Sequence, residues 1–209
     1  MAAPRRKVAA RPRRKELLVL VEGQVTEEGY LLFWRRRARR HTLVEIHEFH
    51  GTPMSLVEKA VEVKTEEERH EKRDRGRAHD EIWCVFDVDE HPHLEEASAL
   101  AAANDINLAI SNPCIELWFL LHFADQTAYI DRRAAQREAR AHLKCSKDLD
   151  DRALDLLAEN FTLASERAQR LDEKHHKDGT PTPGNPSSGA WRVVDSIAKL
   201  PGSLTTRYG

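Results

Sequence analysis

The sequence predicts an α/β fold in which a parallel sheet is flanked by helices and followed by a helical C-terminal portion. Two short apolar segments, residues 17–21 and 82–86, are rich in Val, Leu, Ile and aromatic residues and end at polar residues. Runs of this kind are typical of strands that are buried on both faces of a parallel sheet. Segments with strand patterns alternate with segments of helical spacing, which predicts right-handed βαβ crossovers.

The predicted elements of the sheet follow one another in the order β-α-β-α-β-α-β. The strands are expected at residues 17–21, 43–49, 81–86 and 106–110, and the helices at residues 26–40, from residue 53 onward, and at residues 94–104. Thr26 and Thr52 are expected to cap the first and second helices, with Pro53 at the first helical position. The second helix loses its apolar positions after Val61 and continues as a charged, solvated extension.

After the fourth strand, Asn112 and Pro113 are expected to begin a helix that is apolar on nearly every side and therefore buried. Further helices are predicted at residues 132–143, 151–159, 162–175 and 190–200, with a loop over 178–189. The predicted organisation is a disordered basic arm (1–16), an α/β core (17–125) and a helical C-terminal region packed on the core (126–209).

Composition excludes several classes of protein. The chain has 209 residues, 33% of them charged and 40% hydrophobic, which indicates a soluble globular protein. No apolar run approaches the roughly 20 residues of a membrane span, and the first residues lack the apolar segment of a secretory signal. The three cysteines are widely spaced and odd in number, so we expect reduced, buried thiols and a cytoplasmic location.

Acidic residues follow two of the predicted strands directly. Glu22 follows the first strand, and Asp87 and Asp89 follow the third. Working groups of such sheets gather beyond the carboxyl ends of the strands. On an extended chain the two aspartates face the same way, with Cα atoms roughly 6.5–7 Å apart. A lone D-x-D can also be a helix cap or a solvated turn, but with Glu22 nearby the pattern favours a metal site.

Three crowded carboxylates without a cation would raise one another's pKa and cost stability. We therefore expect Glu22, Asp87 and Asp89 to be catalytic residues that bind Mg²⁺ or Mn²⁺, as in two-metal phosphoryl transfer. Zinc bound with the help of His91 and His93 is the less suitable alternative, because the neighbouring ligands are carboxylates.

Glu116 is the single charge of the apolar helix, and burying an unpaired carboxylate is costly. Either it pairs with a buried Arg or Lys, or it points back towards the metal and assists catalysis. Asn112 either caps the helix or orients a phosphate or a water molecule.

The net charge of −2 conceals two basic clusters. One belongs to the N-terminal arm and includes Arg13, Arg14 and Lys15; the other runs from Arg35 to Arg40. Such clusters are typical of proteins that bind phosphate-rich partners, so Arg13, Arg14, Lys15, Arg35 and Arg36 are candidate substrate-binding residues. The alternative is a solubilising arm and an exposed helix face. Gly23 fits neither a Walker A loop nor a dinucleotide motif, which argues against an NTPase or an NAD enzyme.

These motifs resemble a known family. Val21-Glu22-Gly23 and Phe86-Asp87-Val88-Asp89 are similar to the Toprim domain of primases, topoisomerases and OLD-type nucleases, in which a glutamate and a D-x-D bind Mg²⁺. The longer blocks Trp-Cys-Val-Phe-Asp-Val-Asp-Glu-His-Pro (83–92) and Ser-Asn-Pro-Cys-Ile-Glu-Leu-Trp (111–118) resemble the RloB family. That resemblance implies a Toprim-like fold and a prokaryotic phage-defence protein, often encoded beside an ABC-type or AAA-type ATPase. The loop 180–189 is longer and richer in Pro and Ser than the resemblance implies, which leaves Asn185 without a predicted role.

The leading functional hypothesis is a Mg²⁺-dependent nuclease that acts on DNA or RNA. Two alternatives stay open: a non-catalytic nucleic-acid-binding or regulatory subunit of an ATPase complex, and a primase-like nucleotidyl transferase. Metal affinity separates the nuclease from the first alternative, because a binding subunit need not hold Mg²⁺. Nucleotide incorporation instead of cleavage would indicate the second alternative.

Overall fold

The computed structural model describes residues 13–22, 25–88, 93–145 and 148–198. Within these ranges the chain forms five strands and eight helices. The strands are β1 (Lys15–Val21), β2 (Thr42–Glu48), β3 (Glu81–Asp87), β4 (Asn107–Asn112) and β5 (Ser187–Ser188). The helices are α1 (Thr26–Ala38), α2 (Pro53–Glu71), α3 (Leu94–Ala103), α4 (Ile115–Leu121), α5 (Arg132–Leu143), α6 (Asp151–Glu159), α7 (Phe161–Asp178) and α8 (Ala190–Ala198).

The five strands form one sheet in the order β2-β1-β3-β4-β5. The first four are parallel, as the alternation of strands and helices predicts, and β5 is antiparallel to β4. The sequence placed residues 178–189 in a loop, so β5 corrects that prediction. A strand of two serines, Ser187 and Ser188, has no alternation of apolar and polar residues that could have predicted it. Its backbone pairs with that of β4, and the hydroxyl oxygens of Ser111 and Ser188 lie 2.8 Å apart.

Alternate residues of the central strands face two separate cores. Leu17, Val19 and Val21 of β1 face a core that also contains buried residues of α1 and α4–α8. Leu18 and Leu20 face the other core, which is closed by α2 and α3. Burial on both faces explains why this strand reads as a continuous apolar run rather than an alternating one.

The C-terminal region is continuous with the first core. Buried residues of α5–α8 belong to the same cluster as β1, and the region also contributes β5 to the sheet. The predicted basic arm lies largely outside the described residues, but Lys15 and Glu16 are already part of β1, so the strand begins two residues earlier than predicted. Within the described ranges, no helix is both long and apolar enough to span a membrane.

Helix starts were predicted with mixed success. Thr52 caps α2 as expected: the backbone N–H of Thr52 donates to Oγ of Ser55 at 2.9 Å, and the Ser55 N–H donates to the Thr52 hydroxyl at 3.3 Å. Thr26 is not a cap but the first residue of α1, preceded by Val25.

Asn112 is also not a helix cap. The backbone of Asn112 still pairs with Ser187 in the sheet, and α4 begins three residues later, after Cys114. The side-chain amide of Asn112 is used elsewhere: it donates to the carbonyl of Pro183 at 2.8 Å and accepts from Nδ2 of Asn185 at 3.2 Å. The amide of Asn112 therefore holds the loop, and α4 has Cys114 at its N-cap without a side-chain cap.

Candidate active site

Glu22 and Asp87 lie at the same edge of the sheet, at the carboxyl ends of adjacent strands. Glu22 directly follows β1, and its backbone N–H donates to the carbonyl of Val85 in β3 at 3.1 Å. Asp87 is the last residue of β3 and pairs with Ser111 of β4. The third predicted ligand, Asp89, lies outside the described residues, so a shared three-acid site stays a prediction.

The side chain of Asp87 points to the face of the sheet that carries α1 and α4. Side chains at every second position of a strand point to the same face, so Asp87 lies on the face of Val85 and Trp83, which belong to the first core. There its Oδ2 lies 3.3 Å from Nη2 of Arg132, the first residue of α5, and the carboxylate side chain is only 14% exposed. Arg132 therefore neutralises an acid that the fold withdraws from water.

Two more carboxylates, in the first turns of two helices, lie close enough to Arg132 or to each other to interact electrostatically. Glu27 belongs to the first turn of α1 and Glu116 to the first turn of α4. Burial raises the pKa of Glu27, a backbone hydrogen bond lowers it in part, the negative charge of Glu116 raises it and the charge of Arg132 lowers it. The end of β3 and the starts of α1, α4 and α5 thus meet at one acid-rich point.

The acidic edge extends to β2. Glu48 is the last residue of that strand, and Glu28 of α1 lies against it. A hydrogen bond to Glu48 raises the pKa of the Glu28 carboxyl, and burial and the charge of Glu48 raise it further. Three neighbouring strands, β2, β1 and β3, therefore end in or just before an acid.

The donor atoms of this edge suit a hard cation. Carboxylate oxygens are the preferred ligands of Mg²⁺ and Mn²⁺. Cys114 lies beside the acids, but burial raises the pKa of its thiol far above the ordinary value, and the charges of Glu116 and Asp87 raise it further. In the metal-free protein the Cys114 thiol is therefore protonated. Within the described ranges, which omit Asp89, no three acidic, His or Cys side chains are already arranged around one metal position.

The structure brings Glu116 close to other acids. Its side chain is half-buried, and it interacts with Glu27 and with the thiol of Cys114. Both alternatives for Glu116, support of a metal and an ion pair, stay open, because Arg132 also acts on Glu27 and Arg140 lines the same small pocket as Glu116. Its role stays a prediction.

The basic clusters border β1, but at its other end. Nη1 of Arg14 donates to the carbonyl of Arg39 at 3.2 Å, and the N–H of Lys15 donates to the carbonyl of His41 at 3.2 Å. Both clusters therefore meet at the amino edge of the sheet. Glu22 is seven residues further along an extended strand, roughly 20 Å away at about 3.3 Å per residue.

Part of the basic arm is tied to the fold. Nζ of Lys15 lies 2.5 Å from Oε1 of Glu81 and donates to Oγ of Ser196 at 2.7 Å. Arg13 forms an ion pair with Asp80 at 3.1 Å. Lys15 thus joins the start of β1 to β3 and α8, which is a structural task that the sequence did not indicate.

The second cluster is more open. Arg35 and Arg36 are exposed, and Arg37 lies over the ring of Phe33, 5.2 Å from its centroid, with Nη1 3.5 Å from Asp155. Arg36 and Arg37, together with Arg39 and Arg40, line an open groove of about 630 Å³ between α1 and α6.

Sequence reasoning missed three residues of this region. Arg132 follows Asp131, the N-cap of α5, and nothing in the local pattern links it to an acid 45 positions earlier. Glu27 was interpreted only as a favourable first-turn charge. Asn185 was left without a role, yet it bridges Asn112 and the backbone of Ile130, accepting from the Ile130 N–H at 3.0 Å and donating to its carbonyl at 2.9 Å.

The sequence model of the family described as RloB-like protein matches residues 17–197 of the chain, a range that includes the acidic edge, β5 and nearly all of α8. No curated protein matches the chain.

Proposed function

Since the chain belongs to the RloB-like protein family, we propose that it is a metal-dependent nuclease of the Toprim type, which hydrolyses nucleic-acid phosphodiesters in phage defence. The observation that carries this proposal is the convergence of acids at the carboxyl edge. Glu22 and Asp87 end adjacent strands, and Glu27 and Glu116 approach from two helices.

Such an arrangement is costly unless a cation is present. The raised pKa of Glu27 reports burial together with the charge of Glu116. Carboxylates with raised pKa values cluster at functional sites, and a divalent ion bound there would offset their mutual repulsion. Glu22, Asp87 and Asp89 would hold Mg²⁺ or Mn²⁺, with Glu116 and Glu27 beside them. The ion would supply charge neutralisation for the attacking and leaving oxygens of a phosphodiester.

Arg132 has two tasks in this proposal. It holds the Asp87 carboxylate through the contact of 3.3 Å, and its side chain is 41% exposed, so it can also donate to a phosphate oxygen of a bound strand. A cation at this position offsets the repulsion between the acidic edge and a phosphate backbone.

The experiment is a cleavage assay with matched variants. The protein is purified alone and together with an ABC-type or AAA-type ATPase encoded beside its gene. Each sample is incubated with single-stranded DNA, duplex DNA and RNA, in Mn²⁺ or in EDTA. Asp87→Asn and Glu22→Gln should each lower the cleavage rate by about 100-fold or more, the scale on which removal of a charge-stabilising group acts. Glu58→Gln and Asp148→Asn, at exposed positions, are the controls.

Cleavage that persists undiminished in the Asp87→Asn protein, with an unchanged melting temperature, would show that the acidic edge is not the active site.

A second candidate is a non-catalytic, nucleic-acid-binding or regulatory subunit of an ATPase complex. The observation that favours it is the Arg132–Asp87 pair, because Asp87 then has a cationic partner without any metal. Calorimetric titration with Mn²⁺ separates the two candidates: the nuclease requires a site that Asp87→Asn abolishes, whereas a binding subunit needs none.

A further inference from the structure

Among the described residues, Tyr129 is the one Phe, Tyr or Trp side chain that is exposed. It lies in the loop between α4 and α5, and 76% of its surface is accessible to water. The other large apolar side chains that are exposed, Val25, Leu43 and Leu163, are accessible to 51%, 39% and 41%. Single exposed apolar residues are common, so exposure alone assigns no task. What distinguishes Tyr129 is the fixed position of its loop and its nearness to the acids.

The backbone is held on both sides of Tyr129. The side-chain amide of Gln126 donates to the carbonyl of Ala128 at 2.7 Å. On the other side, the N–H of Ile130 donates to Oδ1 of Asn185 at 3.0 Å, and the Ile130 carbonyl accepts from Nδ2 of the same residue at 2.9 Å. The ring therefore stands in water on a backbone that is already ordered. A ligand that stacks on it has to order only two side-chain torsions, which keeps the entropic cost low.

Tyr129 lies on the same side of the sheet as the side chain of Asp87. Its loop joins α4 to α5, whose buried residues belong, with Ile130, to the first core, and Asp87 points to that face. Arg132, three positions after Tyr129, lies 3.3 Å from Oδ2 of Asp87. Three residues of chain separate the Cα atoms of Tyr129 and Arg132 by no more than about 11 Å. About three stacked nucleotides, at about 3.4 Å each, cover the same distance.

A second contact fixes this loop at the carboxyl edge. Nδ2 of Asn185, which binds the carbonyl of Ile130, also donates to Oδ1 of Asn112 at 3.2 Å. Asn112 is the last residue of β4 and follows Ser111, which pairs with Asp87. The loop is therefore tied to the strand beside β3 at the end where the acids lie.

An exposed ring beside a cation is the combination by which proteins bind single-stranded nucleic acid. Such proteins stack bases on aromatic side chains and hold the backbone with positive charge. Tyr129 provides the ring, and the guanidinium of Arg132, in a side chain that is 41% exposed, provides the charge. In a duplex the faces of the bases are covered by their stacked neighbours, and exposing them costs free energy.

We propose that Tyr129 stacks on an unpaired base of a single strand whose backbone passes Arg132 and the acidic edge. The substrate class of the site is therefore a single strand, or a single-stranded part of a larger nucleic acid. This choice of ligand rests on the proposed action on nucleic acid. A protein partner is the less suitable occupant, because no other large apolar side chain of this loop is exposed and the core of a protein interface needs a contiguous apolar patch.

The test compares two variants of Tyr129 with a control. Tyr129→Ala removes the ring, Tyr129→Trp replaces it with a larger one, and Leu163→Ala removes a different exposed apolar side chain, in the first turn of α7. Binding by these three proteins and the wild type is measured in EDTA, so it is independent of cleavage. The probes are single-stranded DNA and RNA with bases, the same strands with abasic sugars throughout, and blunt duplexes.

Tyr129→Ala should weaken binding of base-bearing single strands by about fivefold or more, the value of stacking one base. Tyr129→Trp should bind these strands at least as tightly as the wild type does, and Leu163→Ala should bind them equally. Abasic strands and blunt duplexes should bind alike to all four proteins. The slope of log K against log salt should not change in Tyr129→Ala, because the ring displaces no counterions. The melting temperature should not change either, since the ring is exposed.

The proposal is overturned if Tyr129→Ala binds base-bearing single strands as the wild type does, or loses abasic strands and duplexes by the same factor. It is also overturned if Tyr129→Trp is as weak as Tyr129→Ala. A variant that keeps its affinity for single strands but no longer co-purifies with an ATPase partner would make the ring a protein contact instead.

Failure of the nuclease proposal is a separate result, because it is read from cleavage by the Asp87→Asn protein. A wild type that cleaves in Mn²⁺ but binds strands without regard to Tyr129 would keep the nuclease and remove the stacking. Binding that depends on Tyr129, in a protein that cleaves nothing, would do the reverse.

Discussion

Arg132 and Asp87 form an ion pair across two elements that the sequence gives no reason to connect, with Nη2 and Oδ2 3.3 Å apart. The pair places a cation at the carboxyl edge of the sheet, close to Glu27. It also means that any metal bound by Asp87 must share that carboxylate with a guanidinium or displace it.

The first prediction concerns this competition. Arg132→Gln should lower the melting temperature in EDTA, by the equivalent of about 1 kcal/mol for a partly exposed pair, because Asp87 loses its counter-charge. In Mn²⁺ the loss should disappear and the affinity for Mn²⁺ should rise. Thermal melts with and without Mn²⁺ measure both effects, with Arg133→Gln, at the exposed next position of α5, as the control. A variant with weaker Mn²⁺ affinity would show that Arg132 supports the metal site rather than competing with it.

Glu27 should make stability depend on pH in the direction opposite to an ordinary ion pair. Its pKa is raised, by burial first, above the ordinary value of 4.5. The stability that its neutral form provides is therefore present below pH 4.5 and is lost as pH rises through the higher folded-state pKa. Glu27→Gln should be more stable than the wild type at pH 7, with a difference that vanishes near pH 4. Denaturant unfolding at several pH values tests this expectation, and a variant less stable at pH 7 would contradict it.

Glu116→Gln distinguishes a metal-supporting acid from half of an ion pair. Removing the charge beside Glu27 should leave stability in EDTA unchanged or slightly higher, and should weaken Mn²⁺ binding. A buried ion pair would instead make the same change cost about 3–5 kcal/mol through the orphaned partner. Thermal melts in EDTA together with Mn²⁺ titration give the answer, and a large loss of stability in EDTA would rule out the metal role.

Glu81, at the amino edge of the sheet, should stabilise the fold in its charged form, in contrast to Glu27. Burial raises its pKa, but hydrogen bonds from Lys15, Ser196 and Trp83 and the charge of Lys15 outweigh burial, so the net pKa is lowered. A lowered pKa means that the stability is present above pH 4.5, the ordinary value, and is lost as pH falls through the folded-state pKa. Glu81→Gln should therefore cost about 1–2 kcal/mol at pH 7 and little in strong acid. Equal destabilisation at both pH values would assign the effect to packing instead of charge.

The basic groove should contribute to affinity without contributing to chemistry, because it lies at the amino edge, away from the acids. The double variant Arg36→Gln, Arg40→Gln, at two positions that line the groove, should weaken nucleic-acid binding. The slope of log K against log salt should fall by about 0.7–0.9 for each phosphate that the variant no longer neutralises. The cleavage rate at saturating strand should not change. Lys72→Gln with Arg73→Gln, beyond the end of α2, is the control. An unchanged salt slope would reduce the cluster to a solubilising surface.

Much of the fold could be predicted because its strands are buried on both faces. Residues 17–21 and 82–86 have to be apolar at every position, and the polar residue that follows each run marks the edge at which Glu22 and Asp87 lie. The place of the Arg35–Arg40 cluster could also have been inferred. A crossover helix between parallel strands runs back along the sheet, so the last turn of α1 has to return to the amino edge.

The remaining contacts join residues that are distant in sequence and carry no periodic pattern. Asn112 was expected to cap a helix because Asn before Pro commonly does so, but a loop more than seventy residues later binds its amide. β5 consists of two serines and has no apolar alternation to detect.

The sequence by itself determined the parallel sheet and the edge at which Glu22 and Asp87 meet, because burial imposes a local pattern of apolar and polar residues on each strand. Only the tertiary structure decided that Arg132 neutralises Asp87, that Lys15 is engaged by Glu81, and that Asn185 bridges Asn112 and Ile130. Those contacts depend on how α5, α7 and α8 pack on the sheet. Packing brings together side chains that are distant in the sequence, and the residues around each of them form no pattern that predicts the contact.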